Sequence, residues 1–360
     1  MKISQTNKNL SIETLRGLAI ILIVLGYVIG SVSGNGLKVA NDSIWRFLYY
    51  AFQYIQIPLF TAISGFVYAY KPVSRFTSNS KFITGKINRL LIPLVIVSTL
   101  FYLLQYAIPG TNSKNDLNDI WRIYVYPYAH FGFLQGMMIV FLIITILENF
   151  EALNTLKSAM ICLIITALIF ILLPFKFHYF SLNRVPFLLT FFILGLSLKR
   201  FYEVIFKKSI IKTAGIIFVF SLGYQLYIFN EDSPDIIANL LTFGVGSTAC
   251  ILMISLGYQN SKLVWLGDFS YSIYLFHIFG AVASRVLLAK LSVHNIPLQI
   301  LTGLIAGLSF PVLLRLLCGS NKVLSMLLFG DKIGTIYRKR NQRLPFKNAR
   351  SVTNSRFFPY

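Results

Sequence analysis

Long apolar blocks alternate along the chain with short polar connections. The blocks fall at residues 12–32, 44–70, 88–108, 130–147, 158–175, 184–200, 210–229, 236–257, 263–288 and 296–318. Each approaches the roughly 20 apolar residues that a helix needs to cross the hydrocarbon core of a bilayer. Backbone polar groups in lipid are satisfied only within helices or closed barrels, and blocks of this length are helical. The pattern predicts an all-α, polytopic membrane helix bundle of about ten transmembrane helices. Between the third and fourth blocks, 109–129 is polar but interrupted by Trp121, Tyr124, Tyr126 and Tyr128, as expected of a segment lying at a membrane interface. The first block follows Lys2 and Lys8, but it is long and no convincing small-x-small cleavage site follows it, so it reads as a retained helix rather than a signal peptide.

Charge orients the blocks. Lys2, Lys8 and Arg16, then Lys71, Arg75, Lys81, Lys86 and Arg89, then Lys199, Arg200, Lys207, Lys208 and Lys212 all fall on one side of a ten-span topology. The chain beyond the last block adds Arg338, Lys339, Arg340, Arg343, Lys347, Arg350 and Arg356 to that side, whereas the connection with Glu231, Asp232 and Asp235 on the other side is acidic. Cytoplasmic loops carry the excess of Lys and Arg, so both termini are expected in the cytoplasm. Two regions follow: a transmembrane domain over 1–318 and a basic cytoplasmic tail over 319–360. The tail opens with a short apolar stretch, Val323 to Phe329, expected at the membrane surface, and its charge suits anionic lipid.

Composition narrows the function classes. Charged residues make up 12% of the chain, against about 25% in soluble domains, which leaves no room for a separate soluble domain. The net charge of +21 is explained by topology and comes with no nucleic-acid-binding signature, so no nucleic-acid partner is expected. Cys162, Cys250 and Cys318 form no CxxC pair, and His130, His178, His277 and His294 are widely spaced without an HxxxH pattern, so neither a disulfide framework nor a metal site is expected. No internal repeat is evident, which counts against the inverted-repeat transporters.

Ionisable residues within membrane segments are costly and therefore candidates for function. Glu13 and Arg16 open the first block; snorkelling at the headgroup level is the plain alternative. Tyr27 lies eleven residues after Arg16, three helical turns on, so the two share a face about 16 Å apart along the axis. Gly17, Gly26 and Gly30 allow close packing of this helix. His277 sits midway through the ninth block among Phe269, Tyr271, Tyr274, Phe276 and Phe279, where a packing role and a chemical one are both open. His130 falls near the outer interface, where a solvated structural role is an equal alternative. Lys86 and Arg89 precede Pro93 at the cytoplasmic face and are either topology charge or a phosphate clamp.

Four segments in order resemble the acyltransferase-3 family. They are Glu13-x-Leu15-Arg16-Gly17-x-Ala19 with Leu25-Gly26; Pro58-Leu59-Phe60 with Ser64-Gly65-Phe66; Lys86-x-x-Arg89-Leu90-Leu91-Ile92-Pro93; and Gly267 to His277, with Ser270-Tyr271 and Tyr274-Leu275-x-His277. The resemblance implies a bacterial inner-membrane O-acyltransferase. Such an enzyme moves an acyl group, commonly acetyl, from acyl-CoA to a hydroxyl of a surface polysaccharide or glycolipid, with acyl-CoA as donor substrate and no bound cofactor. It implies a catalytic group of Arg16, Tyr27, His277 and Glu13, a CoA phosphate clamp of Lys86 and Arg89, and acceptor contacts from His130, Ser270 and Tyr271. The chain departs from the family pattern twice. Tyr27 stands where the family places a histidine, and Gly132 stands where it favours a tryptophan.

The first departure bears on chemistry. Acyl transfer to a hydroxyl needs a base for the hydroxyl proton. Histidine titrates near neutrality, whereas tyrosine's ordinary pKa of about 10 leaves roughly one part in a thousand ionised at pH 7. A phenol can still donate a hydrogen bond to a developing oxyanion. Three readings stand at this level: an active O-acyltransferase, a family member with lost or altered catalysis, and a membrane transporter.

Overall fold

The computed structural model describes residues 9–108, 111, 116–173, 176–229 and 231–331. Ten long helices dominate them: α1 (Leu10–Ile29), α2 (Ile44–Tyr68), α3 (Asn79–Ala107), α4 (Gly132–Asn149), α5 (Leu156–Leu172), α6 (Val185–Arg200), α7 (Lys208–Tyr227), α8 (Asp235–Ser255), α9 (Ser270–Lys290) and α10 (Ile296–Cys318). Their starts carry the expected chemistry. Asn9 Oδ1 accepts from the backbone N–H groups of Ser11 and Ile12, and Ser43, Ser78, Thr155 and Asn295 cap α2, α3, α5 and α10 in the same way.

Eight helical segments are long and apolar enough to cross a membrane, counting Tyr179–Arg200 as one. The other two long helices are α5, apolar but 17 residues long, and α2, which has 25 residues but carries Arg46, Gln53 and Gln56 in its first half. The protein is thus a multi-pass membrane helix bundle, and the ten apolar blocks correspond one to one with its long helices.

Contacts between helix ends show the up-and-down course. Asn9 bonds Tyr70, Asn79 bonds Asn149, and Arg200 pairs with Glu148, all at the end where α1 begins. Gln225 bonds the Tyr50 carbonyl, Asn239 bonds Phe170, and Arg285 bonds Gly36 at the opposite end. The first end bears the basic connections.

The centre of the bundle is α1, which packs on α2, α9 and α10; Ala19, Ile20, Ile23 and Val24 are fully buried. At the rim, α7 buries only Ala214 and Gln225 and leaves Val219 and Phe220 outward. An apolar helix with an exposed apolar surface is what a bilayer solvates.

The ninth block is not one helix. It divides at Phe269 into a short helix, Ser261–Asp268, and α9. The short helix lies across α1 at backbone contact: a Cβ on Gly17 would meet the Leu263 carbonyl oxygen at 2.1 Å, and one on Gly267 would meet the Glu13 oxygen at 2.3 Å. The break falls in Gly267-Asp268-Phe269-Ser270, a polar interruption that the block as a whole spans. Beyond α10, the helix Lys322–Phe329 packs on α3, with Phe329 buried against Phe276. The basic run from residue 332 lies outside the described residues.

Candidate active site

Three rings from three helices or their edges meet in the bundle. Tyr27 comes from the last turns of α1, His130 from the turn before α4, and His277 from the second turn of α9. Tyr27 meets His277 with ring centroids 4.9 Å apart and His130 at 5.6 Å, both edge to face. The two imidazoles lie 4.6 Å apart. Tyr274 completes the group: its ring is 5.2 Å from His130, and its hydroxyl donates to the His130 carbonyl.

The backbone turns His130 inward. Ala129 holds a left-handed φ of 46°, and the turn is closed by a bond from the Phe131 N–H to the Tyr128 carbonyl. An L-residue in that region is uncommon and marks a functional or strained turn. His130 is 1% exposed, so of the two alternatives left open for it the solvated one does not hold. The position lies before the apolar block, and sequence gives no sign that the chain doubles back there.

The hydrogen bonds assign each ring's proton. Carbonyl oxygens only accept, so His277 Nδ1, 3.0 Å from the Ile273 oxygen and 2.9 Å from that of Tyr274, carries hydrogen. His130 Nε2, 3.3 Å from the Leu275 oxygen, carries hydrogen for the same reason. His130 Nδ1 and His277 Nε2 then hold free lone pairs, and neither has a hydrogen-bond partner among the described residues. Buried polar atoms are nearly always paired, so two bare imidazole nitrogens side by side call for a functional account.

Tyr27 and His130 line a cavity of about 770 Å³, within the size range of small-molecule sites, about 300–1,000 Å³. Its other walls come from the opposite-end halves of the helices and from the α1–α2 connection. Amides and phenols are frequent there, among them Gln53, Gln105, Tyr49 and Tyr54. His277 lies behind this wall and is fully buried.

Arg184, at the start of α6, also lines the cavity, together with Tyr27, His130 and Tyr274. Sequence reasoning missed it. The available signal was a basic residue on the side that topology leaves poor in basic residues. Its placement depends on a strained turn in which Phe180 and Ser181 have φ of 51° and 59°. Ser181 donates to Gln135 Oε1 at 2.7 Å, and Gln135 in turn donates to the Tyr124 carbonyl at 3.1 Å, which ties this turn to α4 and the interfacial segment.

The remaining predicted residues gather at the basic end. Arg16 pairs with Glu13 at 2.8 Å, one face of α1 below Tyr27. Lys86 Nζ lies 3.7 Å from the centroid of Phe141 and 5.1 Å from that of Phe82. The Arg89 guanidinium covers the Tyr271 ring at 4.9 Å, and the Tyr271 hydroxyl donates to the Arg89 carbonyl. Ser270 is buried at the first position of α9. No group of three or more potential metal ligands occurs among the described residues.

Gly132 has a local explanation. A Cβ there would lie 2.9 Å from both Pro127 Cβ and Ser181 Oγ. The two turns that carry His130 and Arg184 close over this glycine and occupy the space a tryptophan would need.

The class of protein that fold and site define is a multi-pass membrane helix bundle with an imidazole pair and a phenol gathered beside an internal cavity. The particular family follows from comparison: the model of the acyltransferase domain of type 3 matches residues 9–316, so the chain belongs to the acyltransferase-3 family. None of the curated proteins compared with it matches, and no solved structure does.

Proposed function

We propose that this protein is an active O-acyltransferase of a bacterial inner membrane, with both termini in the cytoplasm. It moves an acetyl group from acetyl-CoA to a hydroxyl of a surface polysaccharide or glycolipid. The observation that carries this reading is the juxtaposition of Tyr27 and His130 at the wall of the cavity with His277 behind them, one nitrogen of each imidazole having no hydrogen-bond partner among the described residues.

The acceptor enters the cavity from the end opposite the basic connections. His130, whose ring reaches the cavity, takes the hydroxyl proton as the acceptor oxygen attacks the thioester carbonyl. Tyr27 donates to the oxyanion that forms. Collapse breaks the carbon–sulfur bond, and the departing CoA thiolate takes up the proton, so one ester and one thiol replace one alcohol and one thioester. His277 buttresses His130, its own proton fixed by the Ile273 and Tyr274 carbonyls. The base absent from position 27 is thereby supplied from α9 and the α4 turn. Arg16 and Glu13, with Lys86 and Arg89, serve the donor at the basic end; Ser270 and Tyr271 lie at that end and not at the acceptor cavity.

The test is mass spectrometry of surface glycans from cells with and without the intact gene, joined to transfer of labelled acetate from acetyl-CoA in isolated membranes. The expected result is a gene-dependent acetyl ester, with His130→Gln lowering the rate by about 10²-fold or more. No ester and no transfer by folded wild type would refute the reading in favour of lost catalysis.

A further inference from the structure

The cavity carries positive charge without a counter-charge. Arg184 and Arg285 both line it, and none of the described residues that line it is an aspartate or glutamate. Arg285 spends one N–H on the Gly36 carbonyl, at 2.7 Å. Arg184 forms neither a hydrogen bond nor an ion pair with any described residue. The arginines that serve structure elsewhere look different. Arg200 pairs with Glu148, Arg315 with Asp331, and Arg122 with Asp119. Buried Arg46 is held by the Gly30 and Val39 carbonyls.

A guanidinium left unpaired inside a membrane bundle is costly unless something meets it. Two guanidinium groups without a counter-charge facing one cavity, one of them unpaired, raise its potential, because low-dielectric walls focus the field. The planar fork of arginine matches a carboxylate or phosphate bidentately, while amides and phenols match sugar hydroxyls. The cavity thus offers two kinds of recognition at once, one for a polyol and one for an oxyanion.

We infer that the acceptor is an acidic saccharide, one bearing a carboxylate or phosphate, whose oxyanion is received by Arg184 and Arg285 while its hydroxyls meet the amide and phenol wall. This rests on the acyl-transfer reading for the word acceptor, but the binding itself does not depend on turnover. Arg184 lines the same cavity as Tyr27 and His130, so the anionic group binds in the space where the reacting hydroxyl is held. Arg285 stands by the α1–α2 connection and guides the saccharide in.

Equilibrium dialysis of the purified full-length protein against fluorescent oligosaccharides of matched length tests this. Three probes are used: neutral, uronate-bearing and phosphate-bearing. At low salt an acidic probe should bind at least about 10-fold more tightly than the neutral one, as expected for a charge-assisted pair. That preference should shrink with ionic strength. The uronate and phosphate arms identify which oxyanion is taken. The double variant Arg184→Gln/Arg285→Gln should bring the acidic and neutral probes to parity, and Arg285→Lys should retain part of the preference. Equal binding of neutral and acidic probes by wild type overturns the inference without recourse to any variant, as does a preference that survives in the folded double variant. Transfer from labelled acetyl-CoA is measured on the same probes. Acidic preference in binding with no transfer to any probe would refute acyl transfer and keep the anionic ligand; transfer to all probes without preference would do the reverse.

Discussion

Tyr27 meets His277 edge to face, with ring centroids 4.9 Å apart, and so joins the first helix to the ninth, the helices that carry the first and the last of the four family-like segments. The contact sets what position 27 can do. A phenol with two imidazoles beside it need not act as the base; it can donate. Tyr27→Phe keeps the ring packing and removes the donor, so kcat for acetyl transfer should fall by roughly 10²-fold with little change in KM. Tyr27→His restores an N–H and should retain more activity than Tyr27→Phe. Steady-state rates in purified membranes decide it, and a fully active Tyr27→Phe would remove the phenol from the reaction.

Gly132→Trp should be severely destabilising even though tryptophan is favoured at this place in the family. With Pro127 and Ser181 each 2.9 Å from the position of a Cβ, the two turns that seat His130 and Arg184 would have to separate. Overpacking of this kind costs about 1–3 kcal/mol or more. The melting temperature in detergent should fall sharply for Gly132→Trp and modestly for Gly132→Ala. A Gly132→Trp protein that melts like wild type would show that the turns can open freely.

Much of the bundle is legible in the sequence because a bilayer imposes one rule on every span, an apolar stretch of fixed length. The family resemblance likewise reads correctly from short motifs. What escapes is whatever depends on contacts between segments. The break at Phe269 accompanies the crossing of Gly17 and Gly267, a contact between distant segments that the block's length and hydropathy do not show. The burial of His130 is set by a left-handed Ala129. Arg184 is brought to Tyr27 by a strained turn and a Ser181–Gln135 bond, two features without a sequence period. Arg16 and Tyr27 share a helix face, as their spacing indicates, yet stand at different levels, one paired with Glu13 and the other at the cavity.

Glu148→Ala should be more damaging than a surface charge deletion. Glu148 and Arg200 pair at 2.6 Å, with side chains only 5% and 17% exposed, and Arg200 also holds the Leu153 carbonyl at 3.0 Å. Removing the carboxylate leaves a partly buried guanidinium uncompensated, which costs about 3–5 kcal/mol when a buried pair is broken from one side. Thermal unfolding of Glu148→Ala should show a large drop, and the double variant Glu148→Leu/Arg200→Leu should recover much of it. Equal stability of Glu148→Ala and wild type would place this pair among the weak surface bridges.

Lys86 and Arg89 separate two roles that the sequence joins in one motif. Lys86 Nζ is engaged by the faces of Phe141 and Phe82, so its charge is committed to packing α3 on α4. Arg89 is exposed and its guanidinium rests on the ring of Tyr271. A phosphate of the CoA moiety can be met by Arg89 without breaking any ion pair, whereas Lys86 would have to leave its aromatic cage. Arg89→Ala should therefore raise the KM for acetyl-CoA by roughly 10-fold, the size expected for one charge-assisted contact, with kcat little changed. Lys86→Met, which keeps the apolar stem against Phe82 and Phe141, should raise KM less than Arg89→Ala. Salt supplies the second readout: wild-type KM should climb with ionic strength, and the slope should flatten in Arg89→Ala because the screened contact is gone. Unchanged KM and unchanged salt dependence in Arg89→Ala would return this arginine to the topology charge of the basic end.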